Sequence, residues 1–232
     1  MAVDRTNYAT MRFTSRTYTI LILSIITVLA FSLSLAGQSM AKDYRKMTIT
    51  RTINAPAERV WAALVGDYGE ISNFSPFIYT SNYESGSLKG EVGAQRKCSF
   101  NATGSRWTKE QIMELDDENM RMKNVIVEAQ KFPLELDNTF ATYFVVDNGD
   151  GTATAGYEFN FRTSPAFMGG LVTGSFKSSL NETLIGLDHY LATGEHVTGG
   201  SDNARRVLKL YKSDDRYGDF AYTLVKMEGK TK

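Results

Sequence analysis

"NAPAERVWAALVGDYGEISNFSPF" (Asn54–Phe77) holds two of the chain's four prolines, a tryptophan, and little that could do chemistry. Pro56 stands where a helix tolerates proline in its first turn, and Glu58 suits the positive end of that helix. Val60 with Leu64 and Trp61 with Val65 are i, i+4 pairs, which makes one side apolar. Gly66 is placed to end the helix. Ile71–Phe77 has room for about two further turns before Pro76 closes it. The stretch therefore predicts a helical elbow: one short helix, a break, and a second, shorter one.

Strand patterns flank the elbow. "KMTITRTIN" (Lys46–Asn54) alternates apolar and polar residues with period two. Six more strand-like runs follow, at 77–85, 92–101, 105–115, 120–129, 139–147 and 152–162, separated by short turn segments that suit antiparallel neighbours. The period then changes. In Ser164–Gly194, Phe176, Leu180, Leu184, Leu187 and Leu191 step by four or three, between a Ser-Pro start and a glycine stop. Such a helix is about 40 Å long, enough to cross a sheet of ten-residue strands. The segregation of strands and helices predicts an α+β domain with seven strands and one long helix. If the sheet curls around that helix, a space opens between them and the elbow plugs one end. Glu195–Lys232 is rich in charge; "RRVLKLY" and "FAYTLVKM" could add strands or a helix, and the default expectation is a mobile or lightly packed tail.

This order, with its specific residues, resembles the START-like or helix-grip superfamily (SRPBCC), most closely its polyketide cyclase/dehydrase and lipid-transport type. The shared features are Pro56 leading a helix with Val60-Trp61, then Asp67-Tyr68-Gly69, then Phe74 and Pro76. "FPLELDNTFATYFVV" and "GDGTATAGYEF" look like the family's last two strands, and the long helix completes the match over about residues 45–193. Phe74 departs from it, standing where tryptophan is common. The resemblance implies a curved antiparallel sheet gripping the last helix around an apolar cavity. Members bind lipids, sterols, quinones, polyketides or plant hormones, and some are cyclases or hydrolases. The superfamily has no shared catalytic residue to carry across, and a fold does not assign an activity.

Residues 1–41 have the layout of a secretory signal peptide. Arg5, Arg12 and Arg16 form a basic lead, Ile20–Ala36 is nearly all apolar, and small-x-small sites end at Ala36 and Ala41. An uncleaved membrane anchor is the alternative, and the one route by which membrane contact is expected. Removal of this segment leaves 23 basic and 25 acidic residues, a balance that does not favour nucleic acid. Cys98 is the only cysteine, so no internal disulfide can form and the domain rests on its core.

Chemistry is sparse. The two histidines, His189 and His196, belong to no ligand cluster of zinc-site spacing. "GGLVTG" (Gly169–Gly174) lacks the spacing of a dinucleotide fingerprint, and "DNGDG" (Asp147–Gly151) reads as a hairpin turn rather than a calcium loop. No metal or cofactor is expected, and no catalytic set can be named. Arg96 is a lone charge on the apolar stripe Val92, Ala94, Cys98, Phe100. The favoured reading is an arginine reaching the sheet edge and snorkelling to water; a buried one needs a carboxylate or an anionic ligand. Glu158 is expected to form an exposed cross-strand ion pair. Phe74, Phe77, Trp107, Tyr143, Tyr157 and Phe176 are candidates for a pocket wall, with Arg96, Leu180, Leu184 and Leu187, and Phe74 and Phe77 are candidates to border its entrance. The leading expectation is a binding module for a hydrophobic small molecule or lipid. An enzyme, such as a cyclase, dehydratase or hydrolase, needs at least two polar groups converging inside the cavity. A structural protein with a filled core would have no pocket of about 300 Å3 or more.

Overall fold

The structure, a computed structural model, describes residues 42–229. The signal or anchor expected over residues 1–41 lies outside them. The element order is β1 (Lys42–Ile53), α1 (Ala57–Trp61), β2 (Thr80–Tyr83), β3 (Gln95–Ser99), β4 (Trp107–Asp116), β5 (Arg121–Gln130), β6 (Phe140–Asp147), β7 (Ala153–Phe161), α2 (Met168–Thr193), α3 (Asp202–Ser213) and β8 (Ala221–Gly229). The strands form one curved sheet in the order β2-β3-β4-β5-β6-β7-β1-β8. Hairpins join β2 through β7, and β1 closes antiparallel on β7 with Met47 opposite Phe159. The helix-grip architecture is present, with one strand more than the sequence predicts.

The elbow forms where expected, but its first helix widens before the break and the second is wound more tightly than an α-helix. α1 runs directly into a π-helical turn (Ala62–Gly66), and a 3-10 segment follows (Tyr68–Asn73). Pro56 caps the start through its carbonyl, which accepts from Arg59 and Val60 at 3.1 Å. Val60, Leu64, Tyr68, Ile71 and Phe74 are buried in the main core. The elbow touches α2 at a glycine: a Cβ on Gly186 would lie 2.1 Å from the Phe74 carbonyl oxygen. The two backbones can meet only because that position carries no side chain. Gly194 ends α2 in the left-handed conformation (φ 75°), its N–H donating to the Tyr190 carbonyl.

The expectation for residues 195–232 is corrected. "RRVLKLY" lies in α3, capped by Ser201, whose hydroxyl accepts from Ala204 N at 3.0 Å. Ala204, Val207 and Tyr211 are spaced to share one helix face and bury it, with Val197, against Ile185 of α2. Tyr211 donates to Asp188, and Asn181 donates to the Tyr217 carbonyl. Arg51 of β1 ties all three parts together, bonding Asn181 and the Arg216 carbonyl beneath the Tyr211 ring. β8 then lies beside β1 at the sheet edge. Asp202, Arg205, Arg206, Lys209 and Lys212, part of the charge that suggested a loose tail, occupy the exposed face of this packed helix.

Candidate functional site

The concave face of the sheet, the elbow and α2 enclose a cavity of about 100 Å3. Its two ends differ. Five phenylalanines form a continuous belt at one end. Phe77 stacks on Phe100 with centroids 5.7 Å apart, Phe100 meets Phe132 at 4.9 Å, and Phe132 meets Phe176 at 6.3 Å. Phe159 closes edge-on against Phe176 at 5.3 Å. All five are only partly buried, so the belt lies where the cavity approaches the surface. Ile126, Leu134, Ala141 and Leu180 complete the apolar wall.

The other end is charged and deep. Arg96 is 1% exposed. Its Nε and Nη2 donate to Glu110 Oε2 at 3.0 and 2.7 Å, its Nη2 also to the Tyr143 hydroxyl at 2.8 Å, and its Nη1 to the Tyr68 carbonyl at 2.8 Å. The guanidinium lies 4.0 Å above the Tyr68 ring centroid. Glu110 accepts from Asn124 at 2.9 Å and, through its other oxygen, from Thr108 at 2.8 Å. Asn124 in turn accepts from the Tyr68 hydroxyl at 2.6 Å. The network closes on itself, as a buried ion pair must if its desolvation is to be offset.

Electrostatics keep this end charged but proton-inert. Burial pushes the Glu110 carboxyl up, yet the Arg96 charge and the hydrogen bonds outweigh it and hold the group below the usual carboxylate range. Burial also opposes the Arg96 charge, and the surrounding Tyr143 and Glu110 more than restore it. Desolvation lifts the Tyr143 hydroxyl to about 12 and that of Tyr157 well above its ordinary value. The Cys98 thiol, buried beside the same charges, is raised to about 12 and stays protonated.

One polar atom here stands apart. The Tyr157 hydroxyl, on a residue 1% exposed, has no hydrogen-bond partner among the described residues. Tyr157 sits directly opposite Tyr143 across β6 and β7, the rings edge-to-face at 4.8 Å.

Residues 44–188 match the family described as polyketide cyclase/dehydrase and lipid transport. The chain belongs to this family. No curated protein matches it. Among solved structures, Ara h 8.0201 is 16% identical, with a TM-score of 0.53 over 65% of this chain and 99% of that one. Norcoclaurine synthase from Thalictrum flavum is 14% identical, with a TM-score of 0.49 over 65% and 87%. XoxI from Bacillus cereus is 21% identical, with a TM-score of 0.49 over 65% and 98%. At such identities the likeness concerns the fold.

Within this family fold, six candidate residues meet at the cavity: Phe77, Arg96, Tyr143, Tyr157, Phe176 and Leu180. Four do not line it. Phe74 is fully buried against Tyr190, and Leu184 and Leu187 fill the core between α2 and the elbow, so Phe74 borders no entrance. Trp107 has the opposite strand parity from Thr108. It lies under the Lys97 ammonium and donates to Gln130. The snorkelling reading of Arg96 is corrected, because a carboxylate waits for it inside. Glu158 is on the outer face with Lys46 at 2.7 Å and Arg121 at 3.2 Å. His189 bonds Glu195 at 2.9 Å and lines no part of the cavity.

Glu110 and Asn124 were missed. The signal for Glu110 was strand parity: Thr108, Glu110 and Ile112 alternate inward, and Glu110 pairs directly across from Arg96. One inward charge on each of two neighbouring strands is a pair.

Proposed function

We propose that this chain is an exported binding protein that holds a hydrophobic small molecule between the sheet and α2. The observation that carries this reading is the cavity, apolar over most of its wall and closed at depth by a satisfied ion-pair network. Family membership supports the class of ligand. The N-terminal basic lead and apolar run support export, and a mature N-terminus following Ala36 or Ala41 on secreted or periplasmic protein is the expected outcome. Protein retained in the cytoplasm with an intact N-terminus would overturn that part.

The volume sets the scale of the ligand. About 100 Å3 holds several waters, but falls short of the ~300–1,000 Å3 usual for drug-sized ligands. The occupant is therefore small, or the wall opens around a larger one. Native mass spectrometry of the protein as cells produce it, with organic extraction and then exposure to lipids and quinones, tests the reading. A bound or acquired apolar molecule is expected. Neither would favour the competing reading, a filled structural core, for which the small volume argues. A catalytic reading draws on the polar groups that meet the cavity. Against it, Glu110 has both oxygens engaged, and the two tyrosine hydroxyls hold their protons at neutral pH.

A further inference from the structure

The deep end of the cavity has unspent hydrogen-bond donors. Among the described residues, Tyr157 Oη has no partner at all. Tyr143 Oη accepts from Arg96 Nη2, and its own hydrogen has no acceptor among the described residues. Both residues line the same cavity and face each other across neighbouring strands. Tyr143 Oη lies 2.8 Å from Arg96 Nη2, and the Tyr157 ring meets the Tyr143 ring edge-to-face at 4.8 Å. A buried hydroxyl left unpaired is unfavourable, and native interiors rarely keep one without a purpose.

What would satisfy both donors is a single acceptor with two lone pairs. A carbonyl oxygen fits, since it can accept from both hydroxyls at once. An alcohol fits less well, because an oxygen that accepts from both tyrosines leaves its own hydrogen without an acceptor. A carboxylate fits worst. Glu110 already neutralises Arg96, so an anion would bring net charge into a buried site without a compensating partner. We propose that Tyr143 and Tyr157 form a two-donor clamp for the neutral carbonyl oxygen of a ketone, quinone or ester, whose apolar body lies toward the phenylalanine belt. This rests on the binding reading above and names the ligand class for it. The Arg96 bond to Tyr143 Oη sharpens the clamp, because a phenol that accepts from a cation becomes a stronger donor.

Four small probes separate the chemistry: acetophenone, 1-phenylethanol, ethylbenzene and benzoate, titrated into the protein as cells produce it and followed by amide NMR. The decisive variant is Tyr157→Phe, which leaves every hydrogen bond of the network in place because that hydroxyl belongs to none of them. Wild type should prefer acetophenone over the other three. Its acetophenone-to-ethylbenzene preference should fall roughly tenfold in the variant, about the worth of one hydrogen bond to a buried acceptor, while ethylbenzene binding is unchanged. The acetophenone carbonyl stretch should shift to lower frequency on binding wild type and recover in Tyr157→Phe, which a purely structural role would not produce. Ethylbenzene binding without a ketone preference, or a preference that survives Tyr157→Phe, overturns the clamp and leaves the binding cavity standing. No perturbation of cavity amides by any probe overturns both.

Discussion

The two halves of α2 are built for different purposes. From Asn181 to Leu191 the helix buries Asn181, Thr183, Leu184, Ile185, Gly186, Leu187, His189 and Leu191. It is held there by the elbow on one side and by α3 and the Tyr217 carbonyl on the other. From Met168 to Ser179 only Gly169 is buried, Leu171 is 75% exposed, and Gly170 and Gly174 have open space where a Cβ would go. Yet the lightly packed half supplies Phe176 and Ser179 to the cavity wall. Packing and exposure of this kind separate regions that open only globally from regions that open locally. The half that frames the ligand space is the half with freedom to move, so a cavity of about 100 Å3 can belong to a protein for a larger ligand.

Breaking the fixed side should cost most. Gly186→Val drives a side chain into the Phe74 carbonyl, which backbone cannot relieve cheaply, and should destabilise by more than about 3 kcal/mol in urea unfolding. Arg96→Met strands Glu110 and should cost about 3–5 kcal/mol, with smaller loss in the Arg96→Met/Glu110→Gln double variant. The same pair gives an acid dependence. Glu110 titrates lower in the fold than its ordinary 4.5, so its contribution is complete above about pH 4.5 and is lost as pH falls through the folded value. Wild-type stability should drop more steeply below that pH than that of the double variant.

The yielding side should respond gently, or with the opposite sign. Gly170→Ala and Gly174→Ala meet no neighbouring atom and should each stabilise by about 0.5–1 kcal/mol. If local opening of this half admits the ligand, they should also slow probe entry in stopped-flow mixing. Hydrogen exchange offers a direct reading, with amides of residues 181–193 protected to near the global limit and those of 170–177 exchanging through local opening. Equal protection would erase the distinction. The smallest effect belongs to Tyr157→Phe, which removes an unpaired hydroxyl and should leave stability unchanged within about 0.5 kcal/mol or raise it slightly.

The architecture was legible because local signals agreed. The elbow's proline, its i, i+4 apolar pairs and the period change at Ser164 each pointed to one element order. The wall of the cavity was legible in part, because parity says which residues share a face: Tyr157 and Phe159, two apart in β7, both line it. Register between strands is what parity cannot supply. Arg96 therefore looked isolated although Glu110 faces it from the next strand. Phe100 stood on the stripe of Arg96 and does line the cavity, whereas the loop residue Phe132 was missed, since no periodicity aims a turn residue. Tyr68 was quoted only as part of a family motif, although its hydroxyl, carbonyl and ring all hold the charged network. The last segment misled because a short helix with charges on one face has the same composition as a solvated tail.

The placement of β1 has a consequence for how the chain folds. It lies between β7 and β8 in the sheet, so the first described strand to be synthesised finds its partners among the last. Such distant pairing pays its loop-closure entropy before any contact repays it. Until the C-terminal segment has emerged, β1 keeps an open edge and α2 lacks the cover of α3. A chain stopped short of residue 200 should hold nearly the whole cavity wall and still fold slowly, with an edge free to pair with a neighbour.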